Sequence, residues 1–244
     1  MHAGYTFESF IPTPENRFAY HSAMSVAGAP RLIYNPLVLY GPNGTGKTHL
    51  LHAIGNRIHS LDPRRQPVCS TCDEFISHVI SALLHKDNAV LERIYLDPEI
   101  LLLDDVHHFA DKTSTQEMLL AFLQRRVAAD KLTVITSVLP PEELPVLGRL
   151  MNTAESLLCA SIALSQTDTR LTVARVKAEA LGLPVTDAPL IYISNHTDNI
   201  RQIEGALKRI LAYLDMGLFE PTTTNIMKML SEEWLPTIQK DRNQ

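Results

Sequence analysis

The chain has 244 residues, enough for one α/β core with a small additional domain. Its composition, 45% apolar and 20% charged, is ordinary for a soluble protein, and no run of 18 apolar residues is present to span a bilayer. The formal net charge of −5 argues against a protein whose main work is gripping the phosphates of duplex DNA.

The N-terminus, Met1-His2-Ala3-Gly4-Tyr5, lacks the basic-then-apolar pattern of a signal peptide. Tyr5 to Phe10 alternate aromatic and polar side chains, and Pro12 and Pro14 then break any regular element. Residues Asn16 to Val26 predict a helix with Phe18, Ala19 and Ala23 on one side.

Pro36 to Tyr40 is a short apolar run of the kind that forms a buried parallel strand. It leads into Gly41-Pro42-Asn43-Gly44-Thr45-Gly46-Lys47-Thr48, which fits the G-x-x-x-x-G-K-[ST] phosphate loop. Leu50, Leu51, Ile54 and Ile58 follow at helical spacing, so the loop joins a strand to a helix. That context suits a triphosphate. The glycines let backbone N–H groups converge on an anion, and the following helix contributes its positive end. Gly41, Asn43, Gly44, Thr45, Gly46, Lys47, Thr48 and His49 form the expected nucleotide-binding set, with Lys47 on the β- and γ-phosphates and the Thr48 hydroxyl on Mg²⁺.

After a turn at Pro63 to Pro67, Val68 to Thr71 predicts a short strand. Asp73 is expected to cap a helix whose apolar face is Phe75, Ile76, Val79, Ile80, Leu83 and Leu84. Cys69-x-x-Cys72 has the spacing of half a zinc site or a redox pair, but no second ligand pair follows. With Cys159 the count is odd, and reduced thiols in a cytoplasmic protein are the reading adopted.

Ile100 to Leu103 predicts a buried strand ending in Asp104 and Asp105. Downstream of a phosphate loop such a pair divides the labour. Asp104 is expected to hold Mg²⁺ through its water shell, and Asp105 to orient or deprotonate the attacking water. His49, His52, His107 and His108 read as packing or surface residues, because phosphoryl transfer needs positioning and cations more than a titrating base. A helix from Thr115 to about Ala129 and a β-branched strand, Leu132 to Ser137, complete the alternation of a parallel sheet covered on both faces.

From Thr167 the pattern turns helical. Helices are predicted over Leu171 to Ala180, Pro189 to Ser194, Ile200 to Leu214 and Thr222 to Met229, with Pro236 ending the last. The expected division is residues 1–165 for an α/β P-loop nucleotide-binding domain and 166–244 for a small all-helical domain with a polar tail. Arg201, at the start of its helix, is either a bidentate donor to the γ-phosphate or a solvated helix arginine; spacing does not decide.

Several segments together resemble one family. Tyr5-Thr6-Phe7, Asn16-Arg17-Phe18-Ala19, Tyr34-Asn35-Pro36-Leu37, Gly46-Lys47-Thr48-His49-Leu50, Leu103-Asp104-Asp105-Val106, Thr115-Gln116-Glu117 and Asn199-Ile200-Arg201-Gln202-Ile203-Glu204-Gly205 are similar to the AAA+ module of the DnaA replication initiators. The resemblance runs from Tyr5 to about Tyr213. It implies a P-loop ATPase fold with a helical lid, ATP with Mg²⁺ as cofactors, Arg201 as a second sensor of the γ-phosphate, and Phe10, Ile11 and Asn16 in an adenine pocket. It also implies partners: a replication initiator or other AAA+ subunits, with only a weak single-stranded DNA contact because Leu91 to Leu96 carries little positive charge. No autonomous duplex-binding domain and no membrane contact are expected, a domain content similar to Hda-type regulators.

The departures matter as much. Val138 stands where the family has an aspartate after its first-sensor strand. Gly148-Arg149-Leu150-Met151-Asn152-Thr153-Ala154 stands where the family has Asp-Arg-Leu-x-Ser-Arg-Phe, so Thr153 replaces the finger arginine. Such a finger is worth about 10³–10⁵ in rate, and ATP binding is therefore expected to outlast efficient hydrolysis. The expected role is ATP-dependent association with an initiator assembly in replication initiation or its control, with a helicase-loader-like or partner-remodelling ATPase as the alternative.

Overall fold

A computed structural model of the chain describes residues 1–28, 34–109, 113–163, 166–217 and 222–231. The chain divides into two compact units, Met1–Ala163 and Leu164–Gln244. The expected stop of the last helix at Pro236 lies outside the described residues.

The first unit is a five-stranded parallel sheet in the order β2-β3-β4-β1-β5, where β1 is Leu37–Tyr40, β2 Val68–Thr71, β3 Ile100–Asp104, β4 Leu132–Ser137 and β5 Leu158–Ser161. The central strands β1, β3 and β4 are almost wholly buried, as a sheet covered on both faces requires. Their side chains alternate between two cores. Val38, Leu101, Leu103 and Ile135 face one cluster, and Leu37, Leu39, Ile100, Leu102, Leu132 and Val134 face the other. Helices α3 (Cys72–His85), α4 (Ala89–Tyr95), α5 (Thr113–Ala128) and α6 (Pro145–Met151) pack on the first face. Helices α1 (Arg17–Gly28) and α2 (Lys47–Leu61) pack on the second.

Two local expectations need correction. In α1 the buried stripe is Ala19, Ser22, Ala23, Val26 and Ala27, and Phe18 is exposed. Small residues let α1 lie close against α2, which leaves no room for a phenyl ring on that side. In α3 the cap is Thr71, not Asp73. The Thr71 hydroxyl accepts from the Glu74 N–H at 3.2 Å, and the Glu74 carboxylate accepts from the Thr71 N–H at 2.8 Å, a reciprocal box that starts the helix earlier. The face of α3 that packs on the first core is Cys72, Phe75, Val79 and Ala82, with Ile76 partly buried against it, and Ile80, Leu83 and Leu84 are exposed.

The same alternation separates the C-x-x-C thiols. Cys69, on β2, packs with the α2 face, while Cys72 opens α3 on the other. With the sheet between them, the two sulfurs do not form a redox pair.

One buried cation joins the N-terminal ends of β3 and β4, away from the phosphate loop. Arg126, at the end of α5, has no exposed surface, and burial lowers its pKa to about 10. Its guanidinium donates to the carbonyls of Tyr95 (3.0 Å), Pro98 (2.8 Å) and Leu132 (2.7 Å) and to the Thr133 hydroxyl (3.0 Å). Neutral acceptors thus satisfy a charge that has no ion-pair partner among the described residues.

In the second unit α7 (Thr167–Ala180) packs against both α8 (Asp187–His196) and α9 (Ile200–Asp215). Asn199 caps α9, accepting from the Gln202 N–H at 3.0 Å, and Ile203, Ala206, Leu207 and Ile210 form its buried face. A further helical stretch covers 223–231. Among the described residues no helix is long and apolar enough to cross a membrane.

Candidate nucleotide site

The loop between β1 and α2 has the backbone that its glycines allow. Gly41, Gly44 and Gly46 have φ of +144°, +73° and +108°, in the region that side-chain-bearing residues avoid. At Gly41 a Cβ would sit 2.1 Å from the Ile162 carbonyl oxygen, so this position has no alternative to glycine. Gly46 is the left-handed entry to α2, whose first turn presents its N–H groups toward the loop. Thr45 is buried, its hydroxyl donating to the Pro42 carbonyl at 3.0 Å, and Asn43 is exposed at the rim. Lys47 is 5% exposed and folds over the loop, its Nζ donating to the carbonyls of Gly41 (2.7 Å) and Pro42 (2.9 Å). An ammonium held by neutral carbonyls at a cradle of N–H groups is the electrostatics an anion requires.

The acidic strand end meets the loop helix directly. Strand alternation puts Asp104 on the same sheet face as α2, and there the Thr48 hydroxyl donates to its carboxylate at 3.0 Å. Asp104 Oδ1 also accepts from the Thr136 hydroxyl at 2.5 Å. The Thr136 oxygen in turn accepts from the backbone N–H of Asp105 at 2.8 Å. Thr136, fully buried at the end of β4, therefore ties both aspartates to the sheet. No motif singles it out in the sequence, where it is one of three hydroxyl residues, with Thr133 and Ser137, on a buried strand.

Asp105 has φ of +58°, a strained value that its short side chain tolerates better than most and that the bond to Thr136 secures. The turn sends the Asp105 carboxylate outward, to 40% exposure, while Asp104 stays buried. His107 Nδ1 lies 3.8 Å from the Asp105 carboxylate and accepts from the Val138 N–H at 3.4 Å. Burial lowers the His107 pKa against the opposing pull of Asp105, so the ring is neutral near pH 7.

Phe10, Ile11 and Asn16 come together beside the loop. Phe10 lies over Gly46, where a Cβ would come within 2.8 Å of its ring edge, and stacks on Tyr20 of α1 at 5.7 Å. Asn16 is buried and closes the segment on itself, its Nδ2 donating to the Ile11 carbonyl at 3.2 Å and its Oδ1 accepting from the Thr13 N–H at 2.8 Å. His49 turns its ring toward the N-terminal segment, where Nε2 donates to the Thr6 carbonyl at 2.8 Å and the ring stacks on Tyr5. It fastens that segment to α2.

The sequence match agrees with this geometry. The model of the bacterial DnaA ATPase domain matches residues 1–158. This chain belongs to that family. The chromosomal replication initiator protein DnaA of Lactiplantibacillus plantarum is 35% identical over 97% of this chain, which spans about half (54%) of that relative's length. Domain III of the DnaA replication initiation protein from Thermotoga maritima superposes with a TM-score of 0.85 at 31% identity, over 95% of this chain and 98% of that one. A replication initiator DnaA bound to AMPPCP and single-stranded DNA superposes with a TM-score of 0.77 at 29% identity, over 84% of this chain and 64% of that one. The fold is thus the AAA+ P-loop architecture of DnaA, a parallel sheet flanked by helices with a smaller helical part.

Where this DnaA-family chain departs from the family pattern, the structure shows what the residues do instead. Thr153 is exposed and its hydroxyl folds back on its own helix end, donating to the Leu150 carbonyl at 3.1 Å. Arg149 is ion-paired with Glu117 at the surface. Arg170 is engaged within the second unit, donating to the Ser194 carbonyl at 2.9 Å and the Thr167 hydroxyl at 3.0 Å. Arg201 sits exposed in the first turn of α9 with no ion pair among the described residues.

Proposed function

We propose that this chain is a DnaA-type Mg-ATP-binding module that acts in bacterial replication initiation or its control, through ATP-dependent association with an initiator assembly. The observation that carries the reading is the Thr48–Asp104–Thr136 relay beneath a glycine cradle. The donor set fits the cofactors. A loop of left-handed glycines suits a phosphate chain, and a buried carboxylate bonded to the loop threonine suits a hard, oxygen-seeking cation. Lys47 and the α2 N-terminus would hold the phosphates, Thr48 and Asp104 the Mg²⁺, and Phe10, Ile11 and Asn16 the base. When bound, Mg²⁺ neutralises charge that develops on the phosphate oxygens.

In this proposal Asp105 orients the attacking water, because its carboxylate faces outward from the relay that holds Asp104. Arg201 answers to the γ-phosphate, as an exposed guanidinium suited to bidentate contact. Turnover is slow without a partner, since Thr153 offers no cation and Arg149 is committed to Glu117. Single-stranded DNA is a weak partner for a chain of net charge −5.

Isothermal titration with Mg-ATP tests the nucleotide reading: wild type binds, and Lys47→Ala loses binding. Equal binding by the two proteins refutes it. Co-sedimentation with a full-length initiator, with ATP and with ADP, tests the partner. ATP-selective co-sedimentation supports the initiator assembly, and selective capture of a replicative helicase supports a loader instead.

A further inference from the structure

Val138 follows β4 at the end of the sheet that carries the phosphate loop, where the Gly41 N–H donates to the Ser137 carbonyl at 3.1 Å. Its own side chain is apolar and presents no donor or acceptor there. The polar side chain at this point is His107, which reaches it from the turn after β3. The Val138 N–H donates to its Nδ1 at 3.4 Å, and the same nitrogen lies 3.8 Å from the Asp105 carboxylate. His108 packs edge-on against the ring at 4.4 Å.

These contacts fix the ring's proton as well as its place. A neutral imidazole has one donor nitrogen and one acceptor, and the bond made by one decides the other. Burial holds the His107 pKa down against the pull of Asp105, and the Lys47 ammonium on the phosphate loop acts in the same direction as burial. With Nδ1 accepting from Val138, the proton of the neutral ring is on Nε2. Among the described residues Nε2 has no hydrogen-bond partner, and the side chain keeps 18% of its surface exposed. An N–H on a held ring is thus left open beside Asp105, the carboxylate assigned to the attacking water, and within reach of it through one water molecule.

We propose that His107 is a catalytic residue of this site: its Nε2–H donates to the water that attacks the γ-phosphate, while Asp105 accepts from the same water. The proposal rests on the nucleotide reading above and adds the group that aligns the nucleophile. The water oxygen bonds to the γ-phosphorus, and the bond from that phosphorus to the bridging oxygen breaks with its electron pair left on ADP. One water proton passes to Asp105. His107 gives up no proton and holds the water oxygen in line.

The two ring nitrogens are tested apart by side-chain shape. In His107→Gln the amide falls near the place of Nε2, in His107→Asn it falls near that of Nδ1, and His107→Leu has neither. Isothermal titration of each protein with Mg-ATP, and with Mg-ADP in the presence and absence of fluoroaluminate, a mimic of the phosphoryl group in transfer, reads the contact without requiring turnover. His107→Leu is expected to bind Mg-ATP within about two-fold of wild type and to lose about ten- to hundred-fold in fluoroaluminate affinity. His107→Gln should recover most of that loss, and His107→Asn little of it. Single-turnover phosphate release should fall in the same order.

Equal fluoroaluminate affinity in wild type and His107→Leu would overturn the proposal, and so would a wild type that binds Mg-ADP no more tightly with fluoroaluminate than without. Recovery by His107→Asn and not by His107→Gln would also overturn it, assigning the ring to holding Val138. If His107→Leu does not fold, the comparison of the Gln and Asn variants decides. Lys47→Ala separates the two levels. If it binds Mg-ATP as wild type does, the nucleotide reading fails; if it loses Mg-ATP while His107→Leu keeps full fluoroaluminate affinity, only the role of His107 fails.

Discussion

Thr136→Val tests how the two aspartates are held. The substitution is nearly isosteric at a fully buried position, so the change is the hydroxyl. Two bonds go: the 2.5 Å donation to the Asp104 carboxylate and the 2.8 Å acceptance from the Asp105 N–H. A hydrogen bond to a charged group contributes about 1.5–3 kcal/mol, and an orphaned buried N–H costs about 1–3 kcal/mol. The two share one oxygen and are not additive, so a net loss of about 2–4 kcal/mol is expected. For a unit of this size that corresponds to a melting temperature lower by about 5–15 °C. Urea unfolding near neutral pH should show a lower midpoint with an unchanged slope, because the surface exposed on unfolding is the same. Thr136→Ser should recover most of the loss. The Asp104 carboxylate would also lose the bond that fixes its orientation, so the Mg²⁺ concentration needed for half-maximal ATP binding should rise. A Thr136→Val protein within about 0.5 kcal/mol of wild type would refute the reasoning, since it would mean the hydroxyl does not anchor the carboxylate.

Three further outcomes follow from the same geometry. Gly41→Ala should abolish nucleotide binding and destabilise far more than Gly182→Ala. At Gly41 the new Cβ meets the Ile162 carbonyl at 2.1 Å, whereas at Gly182, with φ of +64°, nothing lies within 4 Å; side-by-side thermal melts check the ranking. Arg126→Lys should cost about 2–4 kcal/mol in urea unfolding despite retaining the charge, because an ammonium cannot reach the acceptors that the guanidinium fork spans. Stability should also fall as the pH is lowered from about 7 toward 5. Burial depresses the pKa of His52 below 6.5 against the opposing pull of Asp104, so in that window the unfolded chain binds the extra proton and folding loses ground. Melting curves across the range should flatten in His52→Asn.

The chain by itself determined the parallel α/β class, the phosphate loop and the acidic strand end. Each of these rests on local spacing: an apolar run of strand length, glycines at fixed offsets, and helical periodicity after Lys47. Strand β5 and helix α6 escaped that reading. Leu158-Cys159-Ala160-Ser161 lies at the sheet edge in an apolar stretch too short for periodicity to tell strand from buried helix, and it is a strand because β1 pairs with it. Helix faces were also beyond the sequence. Phe18 and Leu84 have the apolar character of core residues, yet the close approach of α1 to α2 and the packing of α3 through Phe75 and Val79 leave them outward. Arg126 reads as a basic residue at a helix end, and only the convergence of carbonyls from two separate stretches, residues 95–98 and 132, makes it a buried pin. Thr136 is likewise silent in the sequence. A hydroxyl acquires its role from what surrounds it in space, and residues 32 positions apart, such as Asp104 and Thr136, become partners only when the sheet sets them side by side.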